Sequence, residues 1–271
     1  MDWISAIGDS APPHVTERMD FQQVKELKIG HSASKVFFIK DKRTDGDGGV
    51  YLKCNALTPA ISLEAEKDRL VWLQGKLPVP QVVHYAKERS FEYLITAALE
   101  GDNPIGAGDP NSPENTERVI GLYAAGLRQI HSVPAGACPF DNRLPRQMEK
   151  ARRNMADHLI VADILERYEV DNVGVLYETL VKTSAAIQEE LVFTHGDYSL
   201  TNIIVQDGEL RGFVDWGNGG VSDKYQDLAI AAKSIVYNYG EAWVPVFFER
   251  YGISRPDPEK IQFYQLLDWF I

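Results

Sequence analysis

The feature that most constrains this chain is the run His195-Gly196-Asp197-Tyr198-Ser199-Leu200-Thr201-Asn202, followed at Asp215 by a second acid in Phe213-Val214-Asp215-Trp216-Gly217. Between the two lie Ile203-Ile204-Val205, Asp207-Gly208 and Leu210 to Val214: two short apolar stretches about an Asp-Gly turn, the pattern of a β-hairpin. A hairpin there sets Asn202 and Asp215 at the ends of adjacent strands. Local sequence alone therefore gathers oxygen ligands in one place, and the rest of the fold has to be built around them.

The chemistry suited to this pattern is phosphoryl transfer. Asp197 accepts or orients the proton of an attacking hydroxyl, while Asn202 and Asp215 hold the Mg²⁺ ions that neutralise a triphosphate. Asp in a loop is ordinarily a cap or turn former, and Asn202 alone would be one too. The joint spacing is what speaks for function. Asp215 ends an apolar strand, where an acid is costly without a counter-charge and a metal meets the need. Lys53 closes the strand Val50-Tyr51-Leu52. Such a lysine is usually a solvated charge, but here it would contact the α- and β-phosphates and pair with a helix glutamate. Glu64 and Glu66 are the candidates. Two residues apart, they face different sides of a helix, and Glu66 is the choice. A metallohydrolase built from His195, Asp197, Asp215 and His131 is disfavoured, because no second nearby His completes a ligand pair.

The chain has 271 residues, 44% of them hydrophobic, enough for one large core or two lobes. Its net charge of −11 is wrong for a phosphate backbone and suits a cationic ligand. Two cysteines, Cys54 and Cys138, form no C-x-x-C pair and fit a reducing cytoplasm. Met1 to Ser5 has no basic and apolar leader pattern, and no apolar run nears the roughly 20 residues of a membrane span. The expectation is a cytoplasmic protein with neither nucleic-acid nor membrane partner, as a monomer or a dimer.

In chain order, residues 20–53 read as a small antiparallel sheet with a turn cluster from Lys42 to Gly49. Gly30 to Ser34 forms a small polar turn before the first clear strand, which offers N–H groups and hydroxyls to phosphates. Ser62 is an N-cap, with Ala65 at N3, for a helix that stops near Gly75. Val82 to Tyr85 and Phe91 to Ala98 are strands. Gly101 to Pro113 marks a break between lobes. Helices follow at Thr116 to His131, Gln147 to Tyr168, Tyr177 to Ile187, Gln226 to Tyr239 and Glu259 to Phe270.

Thr194-His195-Gly196-Asp197-x4-Asn202, Gly212 to Gly217 and Asp223-Lys224-Tyr225-Gln226-Asp227 resemble the aminoglycoside phosphotransferases. The stretch Glu66-Lys67-Asp68-Arg69-Leu70-Val71-Trp72-Leu73-Gln74-Gly75-Lys76-Leu77-Pro78-Val79-Pro80 and the ending Leu266-Leu267-Asp268 look like their 3′-phosphotransferase branch. The resemblance runs from about Val24 to Ile271. It implies an α+β, bilobal, protein-kinase-like fold. Residues 1–99 would form a small N-terminal nucleotide-binding lobe, an antiparallel sheet plus a helix and the hinge. Residues 100–271 would form a larger, mainly helical catalytic and substrate-binding lobe. It implies transfer of the γ-phosphate of ATP, or of GTP, with Mg²⁺, to the 3′-hydroxyl of a cationic aminoglycoside such as kanamycin or neomycin, and hence antibiotic resistance.

In site terms the resemblance implies Asp197 as catalytic base, Asn202 and Asp215 as Mg²⁺ ligands, and Lys53 with Glu66 at the phosphates. Ser32 and Ser34 would lie over the β-phosphate. Thr96, Ala97 and Leu99 would form the hinge at adenine. Asp268 and the carboxylate of Ile271 would line the drug site, with Asn218 and Asp197. Three positions depart from the family pattern: Trp269 where a second acid is frequent, Asn218 where Arg is frequent, and no acid within Tyr198 to Thr201. All three touch the substrate side. The competing readings are a kinase for another small alcohol, such as an amino alcohol, sugar or macrolide, and an inactive nucleotide-binding module.

Overall fold

The structure, a computed structural model, describes residues 21–27, 34–41, 48–57, 62–88, 91–105, 112–160 and 162–271. Ser32, most of the polar turn before β2 and most of the 42–49 turn cluster lie outside them. The described residues divide into two compact units. One holds those up to Gly101 together with Arg211–Gly217, and the other holds Asp102–Leu210 and Asn218–Ile271.

The first unit is a five-stranded antiparallel sheet, order β1-β2-β3-β5-β4, formed by β1 (Phe21–Leu27), β2 (Lys35–Asp41), β3 (Gly49–Ala56), β4 (Val82–Glu88) and β5 (Phe91–Ala97). Period-2 alternation gives each strand two faces. Phe37, Ile39, Val50, Leu52, Cys54, Tyr93 and Ile95 pack together on one side. Lys53 stands directly opposite Leu94 in the β3–β5 ladder and so shares the other face with it. Helix α1 (Leu63–Leu73) covers that other face. Its buried stripe is Leu63, Glu66, Leu70 and Leu73, so a glutamate occupies a core-facing position.

The start of α1 is held from two directions. Ser62 accepts from the Ala65 N–H, and the buried carboxylate of Glu92 on β5 accepts from the N–H groups of Leu63 and Glu64 at 2.6 and 3.2 Å. An acid at a helix N-terminus satisfies orphan donors and suits the helix dipole. The Arg211–Gly217 segment joins this unit through the Phe213 N–H, which donates to the Pro78 carbonyl at 3.0 Å. Gly212 permits the approach, since a Cβ there would meet the Pro78 oxygen at 2.5 Å.

The second unit is mainly helical: α2 (Pro113–His131), α3 (Leu144–Ala156), α4 (Asp163–Arg167), α5 (Val173–Ser184), α6 (Lys224–Tyr239), α7 (Val244–Tyr251) and α8 (Pro258–Leu267). Strands β6 (Leu191–Thr194) and β9 (Gly220–Asp223) pair antiparallel, with Thr194 opposite Gly220. The hairpin forms as its sequence demands. β7 (Ile203–Gln206) turns through Asp207 and Gly208, both at positive φ, into β8 (Glu209–Phe213). Helix α6 is buried almost all round from Tyr225 to Ala232 and forms the centre of the unit.

Three helices differ from the sequence expectation. The single helix over 147–168 is two helices. α3 ends in a Schellman turn, in which His158 takes φ 56° and the Leu159 N–H reaches back to the Asn154 carbonyl at 2.9 Å. Glycine usually marks such an end, and its absence hid the break. α5 begins four residues earlier than expected, because Asn172 caps it by accepting from the Gly174 N–H at 2.7 Å. α7 was not anticipated. It is only eight residues long, carries Pro245 in its first turn and stops at Gly252 in the left-handed region.

Candidate active site

The first unit carries a cluster of three charges. Lys53 Nζ donates to Glu66 Oε1 at 2.7 Å and also to Asp215 Oδ1. The buried stripe of α1 explains why Glu66 is the partner, while Glu64 turns outward to Lys87 at 2.6 Å. Burial would push the Lys53 ammonium down in pKa. The charges of Glu66 and Asp215 overcome that and hold it above the ordinary lysine value. Asp215 sits at φ +63°, a region costly for a non-glycine residue. Trp216 follows it, fully buried, its Nε1–H bonded to the Phe213 carbonyl at 3.1 Å. The backbone strain at Asp215 is thus held by an anchor on the next residue.

Of the residues expected at the hinge, Thr96 and Ala97 end β5, opposite Tyr51 and Val50. The Ala97 N–H donates to Gln81 and the Ala98 N–H to Gly49, both at 2.9 Å. The first backbone N–H beyond this ladder is that of Leu99. Ser34 lies just before β2.

The second unit carries the His195-Gly196-Asp197 loop, and a residue outside the expected site holds it. The Asp227 carboxylate, fully buried on α6, accepts from the His195 N–H at 2.7 Å and the Gly196 N–H at 2.8 Å. It also meets His131 Nε2 at 3.1 Å, and His131 Nδ1 in turn meets the Tyr251 hydroxyl at 2.7 Å. His195 is buried, and its Nδ1 accepts from the Asp197 N–H at 3.3 Å. Gly196 takes φ +83°, and a Cβ on it would lie 2.1 Å from the Asn218 carbonyl oxygen. Only glycine meets both conditions.

Beyond Asp197 the loop is locked by aromatic rings. Tyr198 and Tyr123 stack with centroids 4.6 Å apart, and each hydroxyl donates to the other residue's carbonyl. Asn202 is buried and donates from Nδ2 to the Asp197 carbonyl at 2.9 Å and to Asp197 Oδ2 at 3.1 Å. Both amide protons face Asp197, which leaves the Asn202 carbonyl oxygen for another partner. A hard cation such as Mg²⁺ takes such oxygens. The Asp215 carboxylate of the first unit is, taken by itself, an oxygen donor of the same kind.

Of the residues expected at the drug, Asn218 accepts through its backbone carbonyl from Asn142 Nδ2. Asp268 caps α8 and pairs with Lys233 at 2.8 Å. Ile271 is half-buried. Asp227, Glu92 and Lys233 escaped the sequence reading as site or support residues. Asp227 did carry a signal: an acid three residues into a helix whose neighbours are nearly all apolar has to be satisfied by something.

A lysine–glutamate pair on a sheet and helix, an acid after a strand, and a buried-aspartate-held H-G-D loop define a kinase-like phosphotransferase. The sequence model of the "phosphotransferase enzyme family" matches residues 23–264, and the chain belongs to that family. An aminoglycoside 3′-phosphotransferase from Niallia circulans is 33% identical, covering 96% of this chain and 97% of that protein. One from Enterococcus faecalis is 37% identical, over 92% and 93%. Among solved structures, a type VIII aminoglycoside-3′-phosphotransferase superposes with a TM-score of 0.80 at 26% identity, covering all of this chain and 98% of that one. An aminoglycoside phosphotransferase from Streptomyces rimosus, solved with ADP and streptomycin, has a TM-score of 0.74 at 29% identity, over 87% and 90%. The bilobal kinase-like fold and the phosphotransferase class inferred from the sequence both stand.

Proposed function

We propose that this chain transfers the γ-phosphate of ATP, or of GTP, to the 3′-hydroxyl of an aminoglycoside in the cytoplasm and so inactivates the drug. The observation that carries this is the Asp197–Asn202 pair. An acceptor base and an amide of fixed orientation sit on a loop whose backbone is clamped by Asp227. The relatives named above, all aminoglycoside phosphotransferases, support the substrate class.

Asp197 accepts a hydrogen bond from the acceptor hydroxyl, aligns its oxygen and takes the proton as the bond to phosphorus forms. Lys53, kept charged by Glu66 and Asp215, binds the α- and β-phosphates. Leu99 offers its N–H to the adenine edge, and Ser34 lies over the β-phosphate. Asn202 and Asp215 would hold Mg²⁺, which when bound supplies charge neutralisation to the triphosphate. Most of the rate enhancement then comes from position and electrostatics. Asp268, Ile271 and Asn218 face the drug, and the net charge of −11 draws a polycation towards the protein.

The test is ADP release from Mg-ATP with kanamycin and with tobramycin, which lacks the 3′-hydroxyl. Turnover with kanamycin alone is the expected result. Equal turnover with both would move the phosphate to another hydroxyl, and none with either would remove aminoglycosides as acceptors.

A further inference from the structure

Helix α6 touches the catalytic loop, where Ser234 Oγ accepts from the Leu200 N–H at 3.0 Å. One residue earlier, Lys233 turns to the end of the chain. Its Nζ lies 2.8 Å from Asp268 Oδ2 and 4.8 Å from the centroid of the Trp269 ring. The Lys233 and Asp268 side chains keep 40% and 27% of their surface open to solvent, so a ligand can reach the pair. The carboxylate that would anchor a drug ammonium therefore already holds an ammonium of the protein, and the adjoining ring holds it from a second side.

A second cation brought to Asp268 meets Lys233 at short range, and like charges repel. It has to expel the lysine, losing the ion pair and the ring contact, before it gains the same carboxylate. A hydroxyl is in a different position. It can donate to Asp268 and accept from Lys233 while both stay in place.

We propose that Lys233 is a specificity-determining residue of the acceptor site: by occupying Asp268 over Trp269, it favours acceptors that present a hydroxyl there over those that present an ammonium. This rests on the aminoglycoside reading. An exposed ion pair is worth up to about 1 kcal/mol, so removing the lysine charge is expected to shift relative KM by about three- to fivefold.

The experiment measures KM and kcat with Mg-ATP for two acceptor pairs differing by one amine-to-hydroxyl replacement, neomycin with paromomycin and kanamycin B with kanamycin A. The proteins are wild type, Lys233→Gln, Lys233→Arg and the double variant Lys233→Gln/Asp268→Asn. The expected result is that Lys233→Gln lowers KM for the amine member of a pair relative to its hydroxyl partner, with the change in KM rather than kcat. Lys233→Arg should keep the wild-type ratio, and the double variant should lose the gain. Wild-type ratios in Lys233→Gln, a gain surviving in the double variant, or an effect confined to kcat would each overturn the proposal while leaving the aminoglycoside reading intact. No wild-type turnover with any of the four acceptors would overturn that reading, and this proposal with it.

Discussion

At the scale of single residues, Asp197, Asp227 and Lys53 each make a distinct prediction. Asp197→Ala should leave nucleotide affinity within a few-fold of wild type and lower kcat by about 10²–10⁴-fold, the range for a lost general base; single-turnover kinetics beside nucleotide titration separates the two effects. Asp227 touches no substrate in this reading, yet it ends the N–H groups of His195 and Gly196. Asp227→Asn keeps one acceptor and sets an amide donor against the other N–H. Leaving a buried donor unsatisfied should cost about 1–3 kcal/mol in chemical denaturation. Lys53 gives a pH prediction. Its folded pKa is raised by Glu66 and Asp215, so its contribution to stability is fully present below the unfolded lysine value of about 10.4. That contribution is lost only as pH rises through the higher folded value. Lys53→Met should therefore abolish a stability loss confined to strongly alkaline pH, read by chemical denaturation across about pH 9 to 12.

At the scale of elements, helix ends decide more than helix interiors. α1, the Asp-Gly hairpin and the strands of the first unit follow their periodicity and caps, and they form about where the residues say. α3 does not run on to Tyr168, because its end uses His158 in a conformation glycine normally takes. His158→Gly should stabilise the second unit by about 0.5–1 kcal/mol, read as a shift in the denaturation midpoint. A smaller or opposite change would show that the His158 side chain makes compensating contacts. The Lys53–Glu66 pair is also an element-scale fact. The stripe Leu63, Glu66, Leu70, Leu73 puts Glu66, not Glu64, on the sheet side of α1.

At the scale of the whole molecule, the excess of acids sets how a polycation arrives. With a net charge of −11, kcat/KM for a multiply charged aminoglycoside should fall as salt rises from about 20 to 300 mM, mostly through KM, because screening shortens the reach of the field. A salt-independent kcat/KM would confine the attraction to direct contacts.

The sequence by itself determined the local frame of the residues proposed to react. Asp197, Asn202 and Asp215 are joined by a short loop and a hairpin, so their order and spacing are local properties that side-chain pattern and turn chemistry can specify. Tertiary structure decided what holds and modulates them. Asp227 lies 31 and 32 residues from the two N–H groups it clamps, Glu92 comes from a strand that follows the helix it caps, and Lys233 reaches Asp268 from another helix. Each of these is a polar side chain whose partner is distant in sequence, and only packing the chain determines which buried or half-buried charge meets which donor.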